Sequence, residues 1–386
     1  MCDDLQLFFI LIIRYNDYTG VWMQSVYDVV ILGAGINGVA IARELSEEGR
    51  SVCVIEKNHI AAGASSHSSR LIHGGLRYLE HFEFALVREA LHDQKYLLDT
   101  YPDLVKLRPF YLPVYKTSKR PLWLIALGLW LYGFFAQHEK KPSRIEKEAF
   151  LHTFKAIRKE NLKAVYRYYD GKTDDEALTR RIAQEAQARG TEIFENSEVQ
   201  MIHVNDESIQ VHSSKGMTQT KILINATGAW VDEVNAEFDL LSSYTIEKLS
   251  GIHLVIDRVL LPEPVLLETS SKRIFFIIPE EKTTLIGTTE RSEDGKVDKI
   301  KVNNEDIEYL LQESNRYLKT ELKRQDIQEV LIGTRPLIKS QKDPSKMSRE
   351  YKLDLHHFGG SRVLHIYGGK LTSFPSLVKK VRSLLT

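Results

Sequence analysis

Apolar runs and amphipathic stretches alternate along this chain in an order that predicts parallel strands first and antiparallel strands later. Tyr27 to Leu32 (YDVVIL) is almost continuously apolar and ends at a glycine turn, the pattern of a strand buried on both faces. Residues 36–48 follow with helical spacing, and Ser51 to Glu56 (SVCVIE) reads as a second strand. Together they form a strand–helix–strand unit of about 30 residues. Residues 83–99 place Phe84, Leu86, Val87, Leu91 and Leu97 on one helical face. A further helix is expected over 175–189, then a strand at Glu192–Phe194 and hairpin-like strands from Val199 to Leu223. Short strands at 252–256, 274–278 and 284–287 predict a mostly antiparallel sheet. Residues 304–319 read as a helix, and Val363 to Leu385 as strand, glycine turn and helix.

This order predicts an α/β protein: a Rossmann-like nucleotide-binding domain interrupted by an inserted antiparallel-sheet substrate domain. Segments 23–80, 169–235 and 331–386 are assigned to the first. Segment 236–330 is assigned to the second, and 81–168 to a helical and substrate-domain insertion.

Two apolar stretches stand apart. Leu5 to Ile13 (LQLFFILII) has the core of a secretion signal, but Asp3 and Asp4 occupy what should be a positive flank, and no clear cleavage site follows. Residues 1–22 are therefore expected to be an N-terminal extension outside the core or the product of an upstream start, with a short membrane anchor as the alternative. Leu122 to Phe135 (LWLIALGLWLYGFF) would make a helix about 21 Å long, too short for a hydrocarbon layer of about 30 Å. Its basic flanks (Lys116, Lys119, Arg120; Lys140, Lys141, Arg144) suit docking on a membrane face, while a buried core helix fits the residues as well.

Composition narrows the classes. Of 386 residues, 52 are basic and 52 acidic, so no net charge draws the chain to nucleic acid, and no nucleic-acid motif is present. Cys2 and Cys53 are the only cysteines, too few for a disulfide framework or a cysteine-ligated metal cluster, and no metal is expected. A reducing, cytoplasmic setting is expected on the same ground.

The sharpest local signal is Gly33-Ala34-Gly35-Ile36-Asn37-Gly38, between the first strand and the helix. In such a turn the first glycine permits the bend and the second lets a pyrophosphate approach the backbone. The third lets helix and strand pack closely. Glu56 ends the second strand where an acid can accept hydrogen bonds from ribose hydroxyls. Ile222 to Gly228 (ILINATG), an apolar strand running into small residues, reads by itself as a strand and turn; it resembles the later strand of FAD-binding oxidoreductases, and that resemblance favours FAD over NAD.

Ser65 to Phe84 reads SSHSSRLIHGGLRYLEHFEF. With the glycine turn before it, this resembles the FAD-dependent, quinone-linked glycerol-3-phosphate dehydrogenases, whose fold is similar to that of D-amino-acid oxidase. The resemblance continues through Asp174-Asp175, Asn225 to Trp230, Gly287-Thr288-Thr289, Gly333 to Leu337, Ser348 to Tyr351 and Gly368 to Thr372. Two positions depart mildly: Glu290 stands where the family usually has aspartate, and Ser373 where it often has threonine. Family members also usually continue into a C-terminal helical domain, beyond where this chain stops.

The resemblance implies FAD held by Gly33, Gly35, Asn37, Gly38, Glu56, Ser65, Ser66, Ser69, Leu71, His73, Ala226, Gly228, Trp230, Gly287 and Gly368 to Thr372. It places Arg77, Arg335 and Arg349 on the substrate phosphate, a role suited to planar, permanently charged guanidinium groups. Read singly, each arginine also fits a surface or bracing role. His253 is the first candidate for the base that takes the hydroxyl proton, since a histidine titrates near working pH. His73 is expected as a flavin contact first and a base second. Gly368-Gly369-Lys370-Leu371-Thr372 is expected to open the last helix, with Lys370 and free N–H groups facing charge that develops on the cofactor.

The activity implied is oxidation of glycerol 3-phosphate to dihydroxyacetone phosphate by hydride transfer to the flavin N5. The electrons would pass to a membrane quinone, with the protein peripheral on the cytoplasmic face of the inner membrane and a homo-oligomer as one arrangement. An oxidase passing electrons to oxygen, and a shortened flavin-binding protein without turnover, are the alternatives. An amine or amino-acid oxidase suits three arginines less well.

Overall fold

A computed structural model of the chain describes residues 25–339 and 351–386, apart from the side chains of Arg77 and His81. The expectations for residues 1–22 and for Arg349 therefore lie outside the described residues.

The nucleotide-binding half is a six-stranded sheet in the order 352–358, 361–367, 222–225, 29–32, 52–55 and 192–194. Its neighbours run parallel except for the antiparallel edge pair 352–358 and 361–367. Val29–Leu32 and Val52–Ile55 are buried along their whole length, which explains their unbroken apolar sequence. Alternate residues serve opposite faces. Val29 and Ile31 pack against the helices Ile36–Glu47, Asp175–Ala188 and Phe374–Leu385. Val30 and Leu32 pack with Ile209 and Val211 of a small sheet of strands 25–26, 216–220, 209–213 and 199–204.

The other half is a ten-stranded sheet. Its long members are Lys106–Tyr115, Leu162–Lys172, Ile246–Ile256 and Ile327–Ile338. One face is covered by the helix Asn304–Asn315 and by Phe150 and Phe154. The other carries Phe110, Tyr168 and Leu285 against the apolar helix Leu122–Phe135. Residues 331–338 and Leu71–Ile72, which the sequence reading grouped with nucleotide-binding segments, are strands of this larger sheet. Long-range pairing with 246–256 and 162–172 brings them there.

The apolar helix resolves its two sequence readings into halves. Leu129 and Tyr132 are buried in the core, while Trp123, Trp130 and Phe134 are 68%, 64% and 71% exposed. No helix among the described residues is long and apolar enough to cross a membrane.

Candidate active site

Between the two large sheets lies a cavity of about 1060 Å³, at the large end of ligand pockets. The glycine turn lines one end. Gly33 takes φ +97, which a side chain would strain, and a β-carbon on Gly38 would stand 2.0 Å from the Gly33 carbonyl oxygen. Gly38 does not line the cavity; it lets helix and turn touch, as its place in the motif predicts. Ser65 Oγ accepts the N–H of Ile36 at 3.0 Å, so a hydroxyl sits at the positive end of the first helix. Glu56 Oε2 accepts the Ala34 N–H at 2.8 Å and Oε1 that of Asn58 at 2.8 Å. The carboxylate is thus fixed at the end of its strand, on the cavity wall. Asn37 also lines the cavity, and its buried Oδ1 has no hydrogen-bond partner among the described residues. An orphaned acceptor beside a helix N-terminus, a glycine turn and a fixed acid is what a dinucleotide would complete.

The middle of the cavity is lined by Ser65, Ser69, Leu71 and His73 from one side, and by Ala226, Gly228 and Trp230 from another. The Trp230 indole N–H donates to Asp298 at 2.9 Å. Gly368 to Thr372 close it, and the Thr372 hydroxyl accepts the N–H of His73 at 3.1 Å. This glycine segment does not open the last helix, as its sequence had led us to expect. The helix begins at Phe374, with Ser373 as its N-cap, because Gly368 and Gly369 take positive φ values and carry the chain through a loop first. Lys370 Nζ lies 4.1 Å from the centre of the Tyr78 ring, a cation–π contact on the cavity wall.

Two expected cofactor contacts point elsewhere. The Ser66 hydroxyl is engaged with the His67 ring at 2.9 Å, within its own loop. Gly287 lies in the strand Thr284–Gly287 against His253, and a β-carbon there would stand 2.3 Å from the imidazole Cδ2. It makes room for the histidine instead of facing the cavity.

At the far end stand His253, Arg273, Glu290 and Arg335. Arg335 donates to the Thr288 hydroxyl at 3.1 Å and lies 3.9 Å from Glu290. Arg273 holds the same carboxylate and donates to the Glu290 carbonyl at 3.1 Å. Two guanidinium groups thus share one buried acid. His253 Nε2 is 2.9 Å from Ser69 Oγ. Burial, and then the charges of Arg335 and Arg70, push its pKa down to about 3. The expected reason for choosing His253 as base, titration near neutrality, therefore does not hold: the ring is neutral and hard to protonate. Arg77 belongs by its backbone to the turn Leu76–His81, whose Leu76, Tyr78 and Leu79 line the cavity.

The sequence reading missed Arg273. Its signal was the hairpin register: Phe276 pairs with Gly287, and the same register carried three residues on sets Arg273 opposite Glu290. The reading also missed the buried set Asp170, Tyr132 and Gln94, which are far apart in sequence and share no motif.

A glycine-turn sheet facing a cation-lined pocket across a single cavity defines a dinucleotide-dependent redox enzyme. The family model described as FAD dependent oxidoreductase matches residues 28–373, and the chain belongs to that family; its cofactor is FAD. The glycerol-3-phosphate dehydrogenase of Pseudomonas aeruginosa is 34% identical over 382 residues, covering 94% of this chain and 72% of the relative. The D-erythritol 1-phosphate dehydrogenase of Brucella abortus is 32% identical over 363 residues, covering 92% and 72%. Among solved structures, the glycerol-3-phosphate dehydrogenase from Bacillus halodurans complexed with FAD superimposes with a TM-score of 0.72 at 25% identity. That match covers 94% of this chain and 64% of the solved one. The family resemblance, the D-amino-acid oxidase-like fold and FAD, all expected from the motifs, are borne out.

Proposed function

We propose that the chain oxidises a polyol phosphate, glycerol 3-phosphate first among them, to the corresponding ketone phosphate. The observation that carries this reading is the cation-lined end of the cavity, where Arg273 and Arg335 converge on Glu290 beside His253. A phosphate dianion can displace the shared carboxylate from Arg335 and take a planar fork of donors in its place. The relatives named above act on phosphorylated polyols, which supports the same class.

Bound FAD supplies the hydride acceptor. The glycine loop Gly368 to Thr372 and Lys370 offer N–H groups and one ammonium on the cavity wall, suited to stabilise negative charge. Proton removal we assign to His73, which lines the cavity, is only partly buried and has its backbone fixed by Thr372. His253, neutral and joined to Ser69, orients the substrate hydroxyl. His73→Asn should lower kcat most at and above the optimum pH, where the base is unprotonated, and so flatten the acidic limb of the pH profile. His253→Asn should lower kcat/KM with that limb in place. Exchange of these two profiles would reverse the assignment.

The electron acceptor in this reading is a membrane quinone. The cavity continues into an apolar branch walled by Leu124, Ile125 and Leu131 of the apolar helix, beside the exposed Phe82. An apolar ring could reach the flavin through that branch while Trp123, Trp130 and Phe134 rest in a lipid surface. The decisive experiment is anaerobic. Adding glycerol 3-phosphate to the yellow protein should bleach the flavin band, and a soluble quinone should restore it faster than air. An unbleached spectrum in FAD-loaded protein rejects the substrate. Recovery in air as fast as with quinone favours an oxidase.

A further inference from the structure

A buried carboxyl joins the cofactor side of the cavity to the apolar helix. Asp170, near the end of the strand Leu162–Lys172, is 3% exposed and lines the cavity. Its Oδ1 accepts from the Tyr132 hydroxyl at 2.5 Å, from Gln94 Nε2 at 2.8 Å and from the Gly74 N–H at 3.3 Å. The Tyr132 oxygen also accepts the Gly74 N–H, at 2.8 Å. Gln94 comes from the helix Phe84–Thr100 and Tyr132 from Leu122–Phe135, while Gly74 follows His73 in the loop on the cavity wall.

None of these donors carries a charge. Of the neighbouring titratable groups, Tyr168 is buried on the same strand and His73 adjoins Gly74. Arg108, the ladder partner of Asp170, is engaged by Glu263 at 2.8 Å, and Lys172 by Glu280 at 2.7 Å. Asp93, beside Gln94, accepts from Ser376. Among the described residues no cation forms an ion pair with Asp170. Neutral donors stabilise its anion and burial opposes it; burial prevails, and the pKa is pushed up to about 7.

We propose that Asp170 is a proton store for the flavin pocket, taking up one proton when two electrons enter the cofactor and releasing it when they leave. Added negative charge in a low-dielectric site raises the proton affinity of a nearby carboxylate. The electrons balance: a hydride brings two electrons and one proton to the flavin, and the second proton, given up by the substrate hydroxyl to His73 in turnover or drawn from solvent when a chemical reductant is used, ends on Asp170. Reoxidation passes both electrons and both protons to the acceptor. This rests on FAD lying against the His73–Gly75 loop, and not on which alcohol is the substrate.

The test needs no substrate. The full chain with its FAD is reduced by dithionite against reference dyes between pH 7.5 and 8.5. Two protons per two electrons make the reduction constant fall about a hundredfold per pH unit, and one proton about tenfold. Each tenfold is about 30 mV for a two-electron couple. The wild-type protein should show the hundredfold dependence and Asp170→Asn the tenfold one. A tenfold dependence in the wild type overturns the proposal without any variant, as does a hundredfold dependence kept in D170N. Should D170N not fold, Tyr132→Phe removes one donor from the carboxylate, so the two-proton window should extend to higher pH. An unmoved window in Y132F also overturns the proposal. Because no polyol phosphate enters, its failure leaves the proposed function standing, and the reverse holds too.

Discussion

Replacing Arg335 by alanine should lower kcat/KM for glycerol 3-phosphate by about 10²–10³-fold while leaving FAD in place. That corresponds to about 3–4 kcal/mol of lost interaction, the range for truncating one partner of a desolvated charge pair. Arg335 sits on the strand Ile327–Ile338, opposite Leu249, and reaches the cavity beside Thr288 and Glu290. Its loss would leave Glu290 with Arg273, so the phosphate would meet one guanidinium and an adjacent carboxylate. Arg335→Lys should fall between the two, since lysine keeps the charge and loses the planar fork. A second consequence follows from electrostatics. Arg335 holds down the pKa of His253, so R335A should raise it, although burial, the larger cause, keeps the ring predominantly neutral at pH 7. Steady-state kinetics and the ratio of flavin to protein absorbance check both parts. Loss of flavin in R335A would mean that the residue serves the cofactor instead.

Gly38→Val should have the opposite signature, with FAD lost and the fold weakened. The added β-carbon would stand 2.0 Å from the Gly33 carbonyl oxygen, a backbone atom that cannot swing aside. Relief requires the first helix to move off the turn, which opens the pyrophosphate cradle. Overpacking of this kind costs about 1–3 kcal/mol. Gly128→Ala is the control: it lies in the helix Leu122–Phe135 with nothing within 4 Å of a new β-carbon. Alanine is favoured over glycine there by up to about 1 kcal/mol. Flavin content and thermal midpoint should fall in G38V, with G128A at or slightly above wild type. A G38V protein that keeps stoichiometric FAD would show that the turn tolerates separation from the helix.

Much of the nucleotide half is legible in the amino-acid sequence. Val29–Leu32 and Val52–Ile55 announce buried parallel strands because both faces must be apolar, and the glycines and Glu56 sit where strand ends place them. The apolar helix was legible in its bounds as well, Leu122 to Phe135. Its orientation was not. A helix apolar on every side carries no periodic signal to say which residues face inward, so Tyr132 could not be told from Trp130.

Local spacing along the chain was enough to specify the strand–turn–helix cradle of a dinucleotide, while FAD in particular came from Ile222 to Gly228 and the family resemblance. Contacts within about 30 residues depend on backbone geometry that glycine and β-branched residues encode directly. The pocket opposite was another matter. His253, Arg273, Glu290 and Arg335 meet because strands far apart in sequence pair in one register. Asp170 is isolated from charge because three distant elements close over it. Burial then sets their chemistry, lowering one pKa and raising another, and desolvation is a property of the packed molecule that no neighbour in the sequence reports.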